Sequence, residues 1–425
     1  MKIIIKRQYS SLKSNDWMEI FLVCLMFVLK TVPQLQYTFT GLTWSLTYHV
    51  IFFIWFILVL SRNPNWILKT KELQSVFFWL FYLLITFIFY NNTQWGYFSL
   101  LLSFWEPLIF FYYYTQIDNN PHKRELIAWI TIVALAFGLL QSIQTVNTNE
   151  LAAREASSGH LSDDAVLTGN YSFTATITIL ISAMLCYLQT HQIKFHKKKS
   201  FLSIFIIGGT IFFIFKCNLM ISILCIIIAI VLYIILNGKK NVNFLRAFLI
   251  IILLIIIFFV LPVLGEVLAN MIDVLANFIG SDTIFQRTEL ISTWLRGGSM
   301  SGNLESRVDL CLIALNTFVK NPLFGIGPQN NASIYFPNQL GLHATFFDEW
   351  ARFGIIGMIF LIRTFVRLYK YVCNIVDEGP ALRAIKTGFY VFLVISMLNP
   401  VASANVAISL FFILPVIVLE NHDSK

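Results

Sequence analysis

Apolar runs of about 20 residues, the length that crosses a bilayer core as a helix, recur along the chain with short polar stretches between them. Twelve can be laid out, a few of them shorter, over residues 17–37, 42–61, 74–90, 98–115, 126–146, 171–189, 201–216, 219–236, 247–264, 351–366, 385–399 and 404–420. They are unbroken blocks rather than alternating positions, so the pattern predicts helices surrounded by lipid. The expected fold is an all-α polytopic integral membrane protein of about 12 transmembrane helices, with a large helical extracytoplasmic loop between helices 9 and 10. Three regions follow. Residues 1–264 hold helices 1–9 and an outer segment at 147–170, residues 265–350 form the large loop, and residues 351–425 hold helices 10–12 and the C-terminus.

Composition closes off the alternatives. The chain is 57% hydrophobic and 12% charged, against about 25% charged in a soluble domain, which excludes a soluble globular enzyme. With 41 Phe it is also not a disordered chain, because such chains lack apolar residues. The net charge of +8 does not point to nucleic acid here, since cations in a membrane protein report topology first. Placing the N-terminus in the cytoplasm puts 22 of the 30 Lys and Arg on inner segments. The exceptions are Lys30, Arg154, Lys216, Arg287, Arg296, Arg307, Lys320 and Arg352. Both termini are therefore expected inside and the number of spans even. That parity depends on the Lys-Cys-Asn turn at 216–218, which separates two runs that would otherwise read as one re-entrant element. The basic N-terminus followed by a long apolar run, with no small-residue cleavage site, reads as a retained first span. Six Cys stand singly, with no C-x-x-C pair, so neither a disulfide framework nor a zinc site is indicated.

Two outer segments are long, 147–170 and about 86 residues at 265–350, and loops of that size without function are uncommon. The larger opens with Glu266, Asn270, Asp273 and Asn277 at spacings of four, three and four among apolar residues. This predicts an amphipathic helix, either lying in the interface or packed within the loop. A second helix is expected over 282–294, broken at Gly297-Gly298, and a third over 306–319, stopped by Asn321-Pro322.

The least generic stretch is SRVDLCLIALNTFVKNPLFGIGPQN, followed by GLHATFFDEWARFGIIG at the mouth of span ten. It resembles the O-antigen polymerase and O-antigen ligase superfamily, whose members have about a dozen spans and a large outer loop in the C-terminal third. The family positions found are Arg307 at a helix start, Asn321-Pro322-Leu323 with Gly325 and Gly327, His343, and Gly354 with Gly357. The ligase branch usually has Asn after the His. Ala344 stands here, and the H-x-x-F-F-D form is closer to the polymerases of capsular or exopolysaccharide repeat units.

The resemblance implies a metal-free glycosyl transfer without cofactor, between sugar chains linked by diphosphate to a polyprenol, in the plasma membrane. A chain-length regulator and a flippase are the implied protein partners, with the bilayer and without nucleic acid. Such chemistry needs cations near the leaving diphosphate and a base near the attacking hydroxyl; an Arg fork suits the first. Arg307 is the first candidate for diphosphate contact, with free helix N–H groups beside it, although Glu305 and Asp309 compete for it. His343 is the candidate base, or a hydrogen-bond donor to the diphosphate. Asp348 matches an acid of the polymerase motif, and Arg352, four residues on, is placed to pair with it. Arg154 lies in the other long segment, where an i−4 pair with Glu150 is the alternative; Arg287 and Arg296 are further candidates. The field is local, because the large loop has four cations against eight acids.

Ionisable residues within spans are functional suspects. Glu106 precedes Pro107, a kink site, and Lys30 is a possible partner for it. Lys216, at the end of span seven, either snorkels or faces the diphosphate. Two other readings stay open: a ligase that moves the glycan to another acceptor, and a lipid-linked oligosaccharide flippase. The second predicts short outer loops.

Overall fold

The computed structural model describes residues 14–38, 42–90, 95–158, 163–190, 197–217, 219–236, 269–274, 288–289, 292–293, 303–329, 340, 342 and 344–423. Among these the chain is helical, without strands. The long helices are α1 (Ser14–Thr31), α2 (Leu42–Arg62), α3 (Lys71–Phe89), α4 (Trp95–Tyr112), α5 (Pro121–Thr148) and α6 (Tyr171–Thr190). They continue with α7 (Lys197–Lys216), α8 (Met220–Ile235), α9 (Asn303–Lys320), α10 (Thr345–Ile375) and α11 (Pro380–Leu398). The last helix, α12, runs through Ala404–Ala407, a π-helical stretch Ile408–Ile413, and Leu414–Asp423.

The helices begin where the sequence supplies caps. Thr70 accepts the Leu73 N–H at 3.3 Å to open α3. Asn120 accepts from His122 and Lys123 at the start of α5, with Pro121 in the first helical position, where its missing N–H costs nothing. The first expected span is interrupted at Val32, because Pro33 cannot continue the ladder; the chain restarts as Pro33–Thr38. The Lys-Cys-Asn turn does separate two helices, α7 and α8. The expected span at 247–264 lies outside the described residues.

Lipid, not water, surrounds this body. On α3, Val76, Trp79 and Leu83 are fully buried while Phe78, Phe81, Ile85 and Ile88 form an exposed stripe on another face. A helix apolar all round is not a surface helix of a soluble protein. Among the described residues five helices are long and apolar enough to cross a membrane: Lys71–Phe89, Pro121–Thr148, Asp164–Thr190, Lys198–Lys216 and Pro380–Leu398. Helix α6 is the hub, packed against α7, α8, α11 and α12.

Within the body, several charged groups are paired. Where the N-terminal ends of α1 and α5 meet the C-terminal end of α2, Lys123 meets Asp16 at 2.9 Å, Asp118 at 3.0 Å and Glu19 at 3.7 Å, and Arg62 meets Glu19 at 2.7 Å. Glu420 of α12 takes Lys199 at 2.6 Å and the Trp129 indole at 2.7 Å. Glu106 does not wait for Lys30 alone: its Oε1 lies 2.9 Å from His49 Nδ1, and the other ring nitrogen lies 2.8 Å from Ser99 Oγ. Lys30 sits 4.2 Å over the Tyr48 ring, within electrostatic reach of Glu106.

Candidate functional site

The site is built on a break in α10. Gly354 interrupts that helix at φ 58°, ψ −167°, a conformation open essentially to glycine alone. The break leaves backbone groups without helical partners, which in an apolar body costs several kcal/mol per group unless they are satisfied. The turn after α9 satisfies them. Ile326 N–H donates to Ala351 O at 3.0 Å and Gly327 N–H to Arg352 O at 2.8 Å. In return Ile355 N–H donates to Pro322 O at 2.8 Å and Ile356 N–H to Leu323 O at 3.1 Å. The approach is close: a Cβ on Gly325 would lie 2.2 Å from Arg352 O, and one on Gly354 would lie 2.5 Å from the Leu323 backbone. The Asn-Pro-Leu turn and the two glycines flanking Ile326 thus form a backbone plug in a broken helix. Tyr82 and Tyr90 of the α3 end hold it from behind, donating to Phe353 O and Gly325 O, each at 2.9 Å.

What the plug positions is the first two turns of α10. Glu349 and Arg352 are 5% and 3% exposed and pair at 2.9 Å. The Tyr97 hydroxyl of α4 donates to the same Glu349 Oε1 at 2.9 Å, and the guanidinium lies 4.0 Å over the Tyr97 ring. Arg352 Nε donates to Gln329 O at 3.1 Å, tying the pair to the plug. Burial pushes the Glu349 carboxyl above its ordinary value, against the opposing pull of Arg352 and of the Tyr97 hydroxyl.

Two cavities meet here. A pocket of about 260 Å³, more polar than the neighbouring groove, is walled by Tyr97, Thr345, Asp348, Arg352, Pro400 and Ser403, among others. A groove of about 490 Å³ runs between α4, α10 and α11 over Trp105, Phe365 and Phe392, from Thr345 and Glu349 to Tyr369 and Lys370. Both cavities are lined by Thr345 and Ala402. Glu349 to Tyr369 is roughly 30 Å at the helical rise, about the depth of a bilayer core. The mouth is fixed by Thr345, whose Oγ1 accepts the Val401 N–H at 2.7 Å. Ser403 also bonds Asn405, which bonds Ser172, linking the pocket wall to the start of α6.

Of the residues expected from the sequence, Asp348 and Arg352 come together at the pocket. The ion pair of Arg352 is with Glu349, three residues back, which shares the same helical face. Asp348 accepts the Leu342 N–H at 3.2 Å and so holds the chain just before α10. Arg307 lies in the second turn of α9, because the helix starts at Asn303, a turn earlier than expected. The free N–H groups of that helix therefore precede it. His343, Arg287 and Arg296 lie outside the described residues, but both neighbours of His343 are placed: Leu342 lines the pocket and Ala344 is buried. Lys216 takes Glu150 at 3.2 Å, the residue that the sequence offers as an alternative partner for Arg154. Arg154 is exposed on the short helix Ala152–Ser158 and lines neither cavity. Glu106 also lines neither. Among the described residues, no group of three or more His, Cys, Asp or Glu side chains is arranged to hold a metal ion.

Sequence reasoning passed over Tyr97, Glu349 and His49. The last had a signal, an ionisable ring inside an apolar run; Tyr97 had none, being one of 16 Tyr.

No curated protein matches the chain. Residues 218–362 match the family model described as O-Antigen ligase, a stretch that contains α9, the plug, the break at Gly354 and the Glu349–Arg352 pair. The match over this region supports the O-antigen ligase and polymerase superfamily.

Proposed function

We propose that the protein polymerises polyprenyl-diphosphate-linked oligosaccharide repeat units into a capsular polysaccharide, exopolysaccharide or O-antigen. The transfer takes place at the outer face of the plasma membrane and releases polyprenyl diphosphate. The observation that carries this reading is the junction of an apolar groove of bilayer depth with a small, more polar pocket walled by Arg352. A substrate with a long hydrocarbon tail and a charged, hydroxyl-rich head fits both. Arg307 and His343 flank the plug in sequence; Arg307 is assigned to the diphosphate, and His343 to the reacting sugar or the diphosphate. Asp348 acts by holding Leu342 and with it the approach to His343. Arg154, Arg287 and Arg296 remain assigned to glycan or diphosphate contacts from the outer segments.

The family description names ligation, and a transfer to a lipid, protein or wall acceptor would use the same donor half of the site. The acceptor decides between the two. The test is to incubate the purified protein in liposomes with lipid-linked repeat units extracted from cells lacking it, with and without EDTA, and to resolve the products by length. A ladder of longer lipid-linked glycans that survives EDTA is expected. Substrate crossing sealed liposomes without a ladder would make the protein a transporter. In the same assay His343→Ala and Arg307→Ala each abolish chain growth in inserted protein. Arg307→Lys stays impaired because a point charge replaces a bidentate fork. Normal ladders from both Ala variants would refute their assignment.

A further inference from the structure

Glu349 uses only half of its carboxylate. Oε1 receives both the Tyr97 hydroxyl and Arg352 Nη1, while Oε2 is buried with no hydrogen-bond partner among the described residues. Leaving a charged acceptor unsatisfied in an apolar setting costs more than a neutral one would. The vacant oxygen belongs to a residue that lines the groove, one helical turn after Thr345, which lines both groove and pocket. A ligand that arrives there must bring a hydrogen to donate. A diphosphate brings none and would be repelled by the carboxylate; a sugar hydroxyl brings one.

We infer that Glu349 is the general base of the transfer, and that its Oε2 takes the proton of the attacking sugar hydroxyl. The inference rests on reading the site as a glycosyl-transfer site. In the step, the acceptor O–H bond breaks and its proton passes to Oε2. The oxygen's electron pair forms the bond to the donor's anomeric carbon, and the anomeric C–O bond breaks with its pair on the diphosphate. The departing polyprenyl diphosphate, or water, then takes the proton back from Glu349. Arg352 and Tyr97 are positioning residues: their two bonds to Oε1 fix the carboxylate and leave Oε2 without a protein partner among the described residues. This leaves His343 to donate to the diphosphate, the second of the two roles open to it.

The groups that act on Glu349 are Arg352 and Asp348 on its own helix and Tyr97 on α4. Burial raises its carboxyl against the opposing pull of Arg352 and Tyr97, so it accepts a proton more readily than an exposed Glu. The rate should therefore fall as pH drops through a limb displaced above the ordinary carboxylate range.

The experiment measures turnover, KM and the pH–rate profile with extracted lipid-linked repeat units in liposomes, for the unaltered protein, Glu349→Gln, Glu349→Asp and His343→Gln. Glu349→Gln keeps an acceptor for Tyr97 and Arg352 but has no base. Its kcat should fall on the order of 10² to 10⁴-fold, the usual worth of general base catalysis, with KM little changed and the acidic limb lost. His343→Gln should keep the limb. If Glu349→Gln does not insert, Glu349→Asp decides: it keeps the charge, withdraws it by one methylene, and should lose at least tenfold in kcat while the limb persists. Turnover of Glu349→Gln within threefold of the unaltered protein, or unchanged turnover of Glu349→Asp, overturns the inference, as does loss of the limb in His343→Gln alone. Absence of any ladder from the unaltered protein instead overturns the underlying reading of the site.

Discussion

Two of the places where the protein buries charge differ in their surroundings. Where the N-terminal ends of α1 and α5 meet the C-terminal end of α2, Lys123 has three carboxylates within 4 Å, Arg62 shares two of them, and neither cavity reaches them. At the start of α10, Arg352 and Glu349 form one pair between two cavities, held by a backbone break and a tyrosine. The first arrangement clamps helices together. Both leave a buried carboxylate oxygen without a hydrogen-bond partner among the described residues, Glu19 Oε1 in the first and Glu349 Oε2 in the second, and of these two residues only Glu349 lines a cavity. Burial of ions therefore does not single out the proposed site; the adjoining cavity does.

The largest effect on this contrast should come from Gly354→Ala. The substitution forces a Cβ into a φ/ψ region costing about 1–3 kcal/mol and against backbone atoms 2.5 Å away. The four reciprocal bonds of the plug, each worth about 1 kcal/mol net, would loosen with it. A total of roughly 5 kcal/mol is expected, measured as a large drop in unfolding temperature in detergent together with loss of turnover. Retention of both would mean that the plug does not position the Glu349–Arg352 pair.

Next comes a direct comparison of Arg352→Met with Lys123→Met. Each removes a buried cation and strands carboxylates, so each should destabilise by about 3 kcal/mol or a little more. They part in function. The folded fraction of Lys123→Met should retain its specific activity, whereas that of Arg352→Met should lose it, because Glu349 is no longer fixed. Equal loss of specific activity in both would erase the distinction between clamp and site.

Much of this was legible beforehand, for identifiable reasons. Helix positions follow from apolar run length, and the end of α9 at Asn321-Pro322 from the steric demand of proline on its predecessor. The plug was not legible. Gly325 reads locally as a tight turn and Gly354 as a weak point in a helix, and only their contact across 29 positions explains both. The partner of Arg352 was ambiguous because i−3 and i−4 carboxylates stand adjacent in the sequence and share a face; the Tyr97 hydroxyl, supplied by another helix, goes to Glu349. The same limit applies to Glu106, whose hydrogen-bond partner His49 lies 57 residues away. Periodicity reports which face is apolar, and it carries no information on which distant polar group will meet it.

The smallest expected effect belongs to Lys216, and it sharpens the comparison from the surface. Lys216 and Glu150 pair at 3.2 Å with side chains 43% and 48% exposed. Solvent screens such a pair, and its worth lies between about 0 and 1 kcal/mol. Lys216→Ala should therefore leave the unfolding temperature nearly unchanged, and the discriminating measurement is KM for the lipid-linked donor at two ionic strengths. A structural pair predicts the same KM as the unaltered protein at both. A rise in KM at low salt that disappears at high salt would instead show that Lys216 attracts the diphosphate over a distance. The working site would then extend beyond the two cavities toward the segment that carries Arg154.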